Sequence, residues 1–251
     1  MGLWSTLVGE ALQTVWPAGC AACDRTIPEQ ALFCGACNLS INPMVGGCPG
    51  CALPLRGDSP DRCPTCRRVP FPFGGATSGF EYGEALAEAV VRMKHGGRRD
   101  LAGRLARLLI HPLAEALERG DFSTQDVVMP VPLHPAKLRA RGFNQALELA
   151  RGALAGLSAR ASRAGPPLPR LERHALRRIR PTRELGHAGP AARLAEVAGA
   201  FRVSDAARLR DRRVLLVDDV FTTGATFSAC ADALLAAGAG AVHVLSLARA
   251  V

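Results

Sequence analysis

The run Val214-Leu215-Leu216-Val217-Asp218-Asp219-Val220-Phe221-Thr222-Thr223-Gly224-Ala225-Thr226 leaves this chain few folds to choose from. Four consecutive apolar residues read as a strand covered on both faces, and such strands belong to parallel sheets. The strand is expected to end on the two acids. A short Thr/Gly turn then leads into an apolar-periodic helix from about Phe227 to Ala237. This order puts two carboxylates and a ring of hydroxyls and N–H groups at the carboxyl edge of a strand, where open α/β sheets bind their ligands.

Each part of the run suits one part of a ribose 5-phosphate. A helix N-terminus offers a phosphate unpaired N–H donors and the positive end of the macrodipole. Thr222, Thr223 and Thr226 add hydroxyls, Gly224 lets the backbone come close to an anion, and Val220, Phe221 and Ala225 complete the loop. Asp218 and Asp219 would repel a phosphate and are better matched to sugar hydroxyls, for which carboxylates are strong acceptors. A buried strand with a Thr-rich cap and no ligand is the plainer alternative. The pattern resembles the signature of type I phosphoribosyltransferases, which bind 5-phosphoribosyl 1-pyrophosphate (PRPP). Rival phosphate motifs are poorly supported: no G-x-x-x-x-G-K-[ST] occurs, and no G-x-G-x-x-G opens a helix after a strand.

Eight of the nine cysteines form four C-x-x-C pairs near the N-terminus: Cys20/Cys23, Cys34/Cys37, Cys48/Cys51 and Cys63/Cys66. Two such turns complete a tetrahedral four-thiolate zinc site, so four turns make two sites. A sequential assignment keeps each site in a short hairpin; an interleaved one, or disulfides, would use the same cysteines. Four-thiolate sites have no open position, so this zinc is expected to be structural. The metal would stabilise about fifty Gly- and Pro-rich residues that cannot bury much core. Cys230, alone on the helix after the loop, reads as packing. Serine at Cys34 or Cys63 is expected to unfold this module and spare the residues from about 75 onward.

Between these signals strands alternate with helices, which implies a parallel sheet with right-handed crossovers. Thr77–Tyr82 reads as an edge strand, followed by a helix over about Gly83–Met93 that stops at Gly96-Gly97. Arg99–Leu117 reads as one long amphipathic helix with a basic face. Asp126–Pro132 reads as a buried strand, with a helix after His134 running to about Ala155 and Val242–Leu247 as the last strand. A tight turn at Arg141-Gly142 after a strand could offer N–H groups and a guanidinium to pyrophosphate, with Arg139 beside it. Solvated arginines at a helix N-terminus are the alternative. Lys94, at a helix end, could reach the same group or serve the helix dipole.

With Pro130-Val131-Pro132-Leu133-His134-Pro135, Arg139 to Gln145 and the eight cysteines, the chain resembles the ComF/GntX-type family, the competence-associated branch of the type I phosphoribosyltransferases. The resemblance runs from Cys20 to Arg249. It implies a type I phosphoribosyltransferase fold, a parallel sheet flanked by helices, over residues 75–251. Before it would stand a small N-terminal double zinc-ribbon module over 18–70, and an amphipathic helix over 1–17. It implies PRPP as ligand with Mg²⁺ bound alongside, a phosphoribosyl transfer to an unread acceptor, and a link to DNA uptake or DNA metabolism. Asp218, Asp219 and Arg141 would be the catalytic residues; Lys94, Arg139, Gly142 and Val220 to Thr226 would bind substrate. The superfamily keeps a closing loop where this chain has the arginine-rich stretch Arg170–Arg193. Arg178, Arg180, Thr182 and Arg193 match the family pattern, whereas Leu185 and Glu196 replace its glutamine and asparagine. A catalytically silent, nucleic-acid-binding protein that keeps the ribose-phosphate site is the competing reading.

The net charge of +9, with 29 arginines against two lysines, favours polyphosphate or nucleic-acid partners, single-stranded DNA or DNA-uptake proteins among them. An aromatic content of 5% offers little for base stacking. Glu10, and the lack of any Lys or Arg before Arg25, argue against a signal peptide. No run of ~20 apolar residues suggests a membrane span, so a cytoplasmic protein is expected.

Overall fold

The computed structural model describes residues 18–55, 62–68, 70–160, 168–183 and 189–251. The expected amphipathic helix over residues 1–17 lies outside them. Five parallel strands form the central sheet: β1 (Gly75–Glu81), β2 (Val127–Pro130), β3 (Arg170–Leu171), β6 (Arg213–Phe221) and β7 (Ala241–Arg249), in the order β1-β7-β6-β2-β3. The run that carries the two acids is thus the middle strand. Leu215 and Val217 join the core on one face, while Val214 and Leu216 join that on the other. Burial on both sides is what the unbroken apolar run requires.

Helices cover both faces. On one lie α3 (Glu84–His95), α4 (Arg99–Leu105), α5 (Ile110–Arg119) and α7 (Gln145–Arg160). On the other lies α9 (Ala225–Ala236), beside an antiparallel ribbon of β4 (Leu176–Arg178) and β5 (Phe201–Val203). Two further short helices flank the site, α6 (Pro135–Arg141) and α8 (Pro190–Val197), and α1 (Gly35–Asn38) and α2 (Pro64–Arg68) belong to the cysteine region.

Five expectations are corrected. The central strand runs past the acids to Phe221, so Asp218 and Asp219 are strand residues, and α9 starts at Ala225 rather than Phe227. The long helix over Arg99–Leu117 is broken by a 3₁₀ stretch, Ala106–Leu109, before α5. Pro112 has no N–H to give, and so it sits in the first turn of a new helix, where none is needed. The helix after His134 is two helices. Gly142 ends α6 with φ at +81°, donating to the Leu138 carbonyl, and the Asn144 side chain accepts from the N–H groups of Ala146 and Leu147 to start α7. The Arg141-Gly142 turn therefore follows a helix and not a strand.

The cysteine region is built onto the sheet. Residues 42–49 run beside edge strand β1. Ala76 N–H donates to the Pro49 carbonyl, Met44 N–H to Gly79 and Glu81 N–H to Asn42. Arginines of the α3–α5 face reach the region too: Arg92 pairs with Asp24, and Arg107 donates to the Gln30 carbonyl at 2.8 Å.

Candidate functional site

Two cysteine clusters form, and the pairing is sequential: Cys20, Cys23, Cys34 and Cys37 in one, Cys48, Cys51, Cys63 and Cys66 in the other. Within each, the sulfurs lie within 4.8 Å of one another. All are free thiols. The clusters share a knuckle geometry, with Cys34 N–H donating to Cys20 Sγ at 3.3 Å and Cys63 N–H to Cys48 Sγ at 3.2 Å. Burial raises the Cys20 thiol, but backbone N–H groups of Cys34, Cys23 and Ala22 outweigh it and bring the thiol down to about 6. Cys48 is brought to about 7 in the same way, by the N–H groups of Cys63, Gly50 and Cys51. Burial and the neighbouring thiols push Cys66 up. Such convergent, N–H-supported sulfurs suit a soft tetrahedral cation, and both groups could hold zinc.

The second feature is a cleft of about 470 Å³ at the carboxyl ends of the central strands. Asp219 is buried, 3% exposed, and its Oδ1 meets Lys94 Nζ at 2.9 Å. Burial works against the Lys94 charge, but Asp219 and then Asp218 hold its pKa above the usual value. Asp218 accepts from the Asp219 N–H at 2.9 Å. Burial, then the neighbouring Asp219, lifts its carboxyl above the ordinary carboxylate range against the pull of Lys94 and Arg178. Asp219 Oδ2 is buried with no hydrogen-bond donor among the described residues.

Beyond the acids, Thr222 to Thr226 curl into the N-terminus of α9. Gly224 makes that curl with φ at +82°, and a Cβ placed there would meet Phe71 Cε1 at 2.6 Å and Phe221 Cε2 at 2.8 Å. Both rings belong to an aromatic floor in which Phe71 stacks on Phe73 at 4.8 Å and Phe221 stands edge-on to Phe227 at 5.3 Å. Gly224→Ala should therefore strain both backbone and floor, lowering the melting temperature by the equivalent of about 1–3 kcal/mol. It should also weaken any ligand held through a 5-phosphate. Calorimetry with ribose 5-phosphate checks this, and a variant as stable and as avid as the parent would refute it.

The remaining wall brings cations to the acids. Lys94, Lys137, Arg141, Arg178, Arg183 and Arg193 all line the cleft. Arg141 is steadied by Gln145, whose Oε1 accepts from its Nη1 at 2.6 Å. Arg139 is exposed and does not line the cleft, and Gly142 lines a neighbouring groove instead. Lys94 is engaged with Asp219, so it holds the acid rather than standing open to a pyrophosphate. Glu196, where the family pattern has asparagine, accepts from the Arg183 N–H at 2.9 Å and pairs with Arg180 at 3.9 Å, a fastening within the arginine-rich segment. Tyr82, His95 and Lys137 also line the cleft. No short motif marks them: Tyr82 follows β1, His95 ends α3 and Lys137 lies on α6, so only the fold brings them together.

No protein-family model matches the chain. It is 29% identical over 217 residues to the DNA utilization protein YhgH of Salmonella typhi, a match covering 86% of this chain and 90% of that protein. It is 28% identical over 170 residues to Competence protein F of Haemophilus influenzae, covering 67% of this chain and 70% of that one. Among solved structures, the L. donovani hypoxanthine-guanine phosphoribosyl transferase matches with a TM-score of 0.31 and 13% identity, over 59% of this chain and 71% of that one, a likeness too slight to bear on the fold. Among the described residues no helix is long and apolar enough to cross a membrane. The relatives named YhgH and Competence protein F support a ComF-type family for this chain.

Proposed function

We propose that the cleft binds PRPP and that the chain transfers its ribose 5-phosphate to an acceptor, in a role connected with DNA uptake or DNA metabolism. The observation that carries this is Asp219 Oδ2, a buried carboxylate oxygen without a donor among the described residues, set beside a glycine-curled loop at a helix N-terminus. A buried acceptor of this kind calls for a donor, and a ribose hydroxyl supplies one. With the 5-phosphate on Thr222 to Thr226, the sugar lies over the acids and its anomeric carbon turns toward the arginines of the wall. The bond from C1 to the pyrophosphate oxygen breaks, and its electron pair leaves with the pyrophosphate. The acceptor's lone pair closes the new bond at C1, and its proton passes to solvent. Arg141, Arg178 and Arg183 stabilise the departing charge, and Lys94 holds Asp219 in place. Mg²⁺, carried by pyrophosphate and ribose oxygens, would add its charge to the same stabilisation. The chain, tested with PRPP and Mg²⁺, should melt higher; ligand at 100 times its dissociation constant adds ~2.7 kcal/mol. No rise with either PRPP or ribose 5-phosphate at millimolar concentration would end this reading.

A second reading is favoured by the groove next to the cleft, which shares Leu133 and Arg178 with it and is lined also by Arg99, His134, Arg173 and Arg177. A basic wall over an apolar floor suits a nucleic-acid strand, and a protein that had lost turnover could use both sites for binding. Single-stranded DNA should then bind with little sequence preference and lose affinity steeply as salt rises. No binding at low salt, or tight binding indifferent to salt, would count against it.

A further inference from the structure

We infer that Arg249 is a positioning residue for the phosphate loop and ties that loop to the second cysteine cluster. This inference rests on the ribose-phosphate reading of the cleft. Arg249 ends β7, so an apolar run closes on a charge that is only 5% exposed. A guanidinium withdrawn from water must have its donors filled. Nε donates to the Cys51 carbonyl at 2.8 Å. Nη1 donates to the carbonyls of Phe221 at 2.9 Å, Thr222 at 2.6 Å and Ala250 at 2.5 Å. The Phe221 ring centre lies 4.4 Å from the guanidinium carbon. One side chain thus grips a cysteine knuckle with one edge and the first two loop residues with another.

The orientation matters for a ligand. In a planar trans peptide the N–H points opposite to the carbonyl. Holding the Phe221 and Thr222 carbonyls on Arg249 therefore turns the N–H groups of Thr222 and Thr223 away from it. Four thiolates around a divalent ion leave a net negative charge, which a guanidinium alongside offsets. A lysine carries the charge but not the planar fork that spans both sets of carbonyls.

Amide hydrogen exchange on the zinc-loaded full chain, without ligand, tests this in Arg249→Met and Arg249→Lys, with ribose 5-phosphate titrated afterwards. The amides of residues 222–226 should exchange at least about tenfold faster in Arg249→Met and at an intermediate rate in Arg249→Lys, while Val214 to Val217 keep their protection. Cys48→Ser, with Arg249 intact, should loosen the same amides. Ribose 5-phosphate affinity should fall in the order wild type, Lys, Met. Wild-type exchange of 222–226 in a folded Arg249→Met would overturn the inference. Should Arg249→Met also lose protection over Val214 to Val217, Arg249→Lys decides by the same criterion. If the wild-type chain takes up no ribose 5-phosphate, the proposed function fails, whereas loop exchange still judges Arg249.

Discussion

Asp218→Asn should leave the chain unable to hold ribose 5-phosphate ligands tightly, yet more stable at neutral pH than the parent. The two effects have one cause. Burial and the adjacent Asp219 raise the Asp218 pKa in the folded chain, so its ionised form is easier to carry unfolded. An acid of this kind gives up stability as pH rises from its unfolded value, about 3.9, toward its folded one, and asparagine removes that loss. The melting temperatures of variant and parent should converge below about pH 4. Asp219→Asn is different: it strips Lys94 of its partner and should lower stability. In the proposed complex, each change removes a charge-assisted bond to a sugar hydroxyl worth about 1.5–3 kcal/mol. The double variant should then lose ligand affinity by roughly 10²- to 10⁴-fold. Undiminished calorimetric affinity in a folded double variant would show that the acids do not face the ligand.

Serine at Cys63 should reach much further than serine at Cys34. Viewed as residues 18–70 ahead of an independent domain, both changes ought to spare the rest. The packing divides them. Cys48, Cys51, Cys63 and Cys66 share a core with Leu216, Phe221 and Phe227, and Gly50 sits against Cys66. The first cluster packs instead against the helices of the opposite face. Cys63→Ser should lower the melting temperature by about 10 °C or more, since ~1 kcal/mol moves a chain of this length by ~2–4 °C. It should also abolish ribose 5-phosphate binding. Cys34→Ser should cost less and leave binding measurable. Metal analysis should find two zinc ions in the parent and one in each variant; near-zero metal in unoxidised parent protein would remove the premise.

What could be read from the chain is what is local in it. Acids, loop and helix start lie on consecutive residues, so strand period, turn chemistry and helix polarity speak together from Val214 to Thr226. Cysteine spacing likewise announces four knuckles, although only the fold decides which knuckles meet. The helix break was not legible, because the apolar periodicity runs unbroken over Arg99–Leu117, although Pro112 stands inside it. Contacts between distant segments were not legible either. Nothing near Lys94 says that it will hold Asp219, nor near Phe71 that its ring lies under Gly224. Arg139 shows the reverse error, for it shares a motif with Arg141 but faces solvent from another side of a short helix. Glu196 departs from a family pattern and turns out to be engaged with Arg180 and Arg183. Arg249 left one trace, a charge closing an apolar strand.

The backbone bonds from residues 42–49 to β1 carry a liability of another kind. They shield the open edge of a parallel sheet, whose unpaired N–H and C=O groups would otherwise accept a strand from any neighbour. That shield leads from the first cysteine cluster into the second, which it enters at Cys48. With zinc in both clusters, removing the metal would bare that seam, so metal-stripped protein should self-associate before it unfolds.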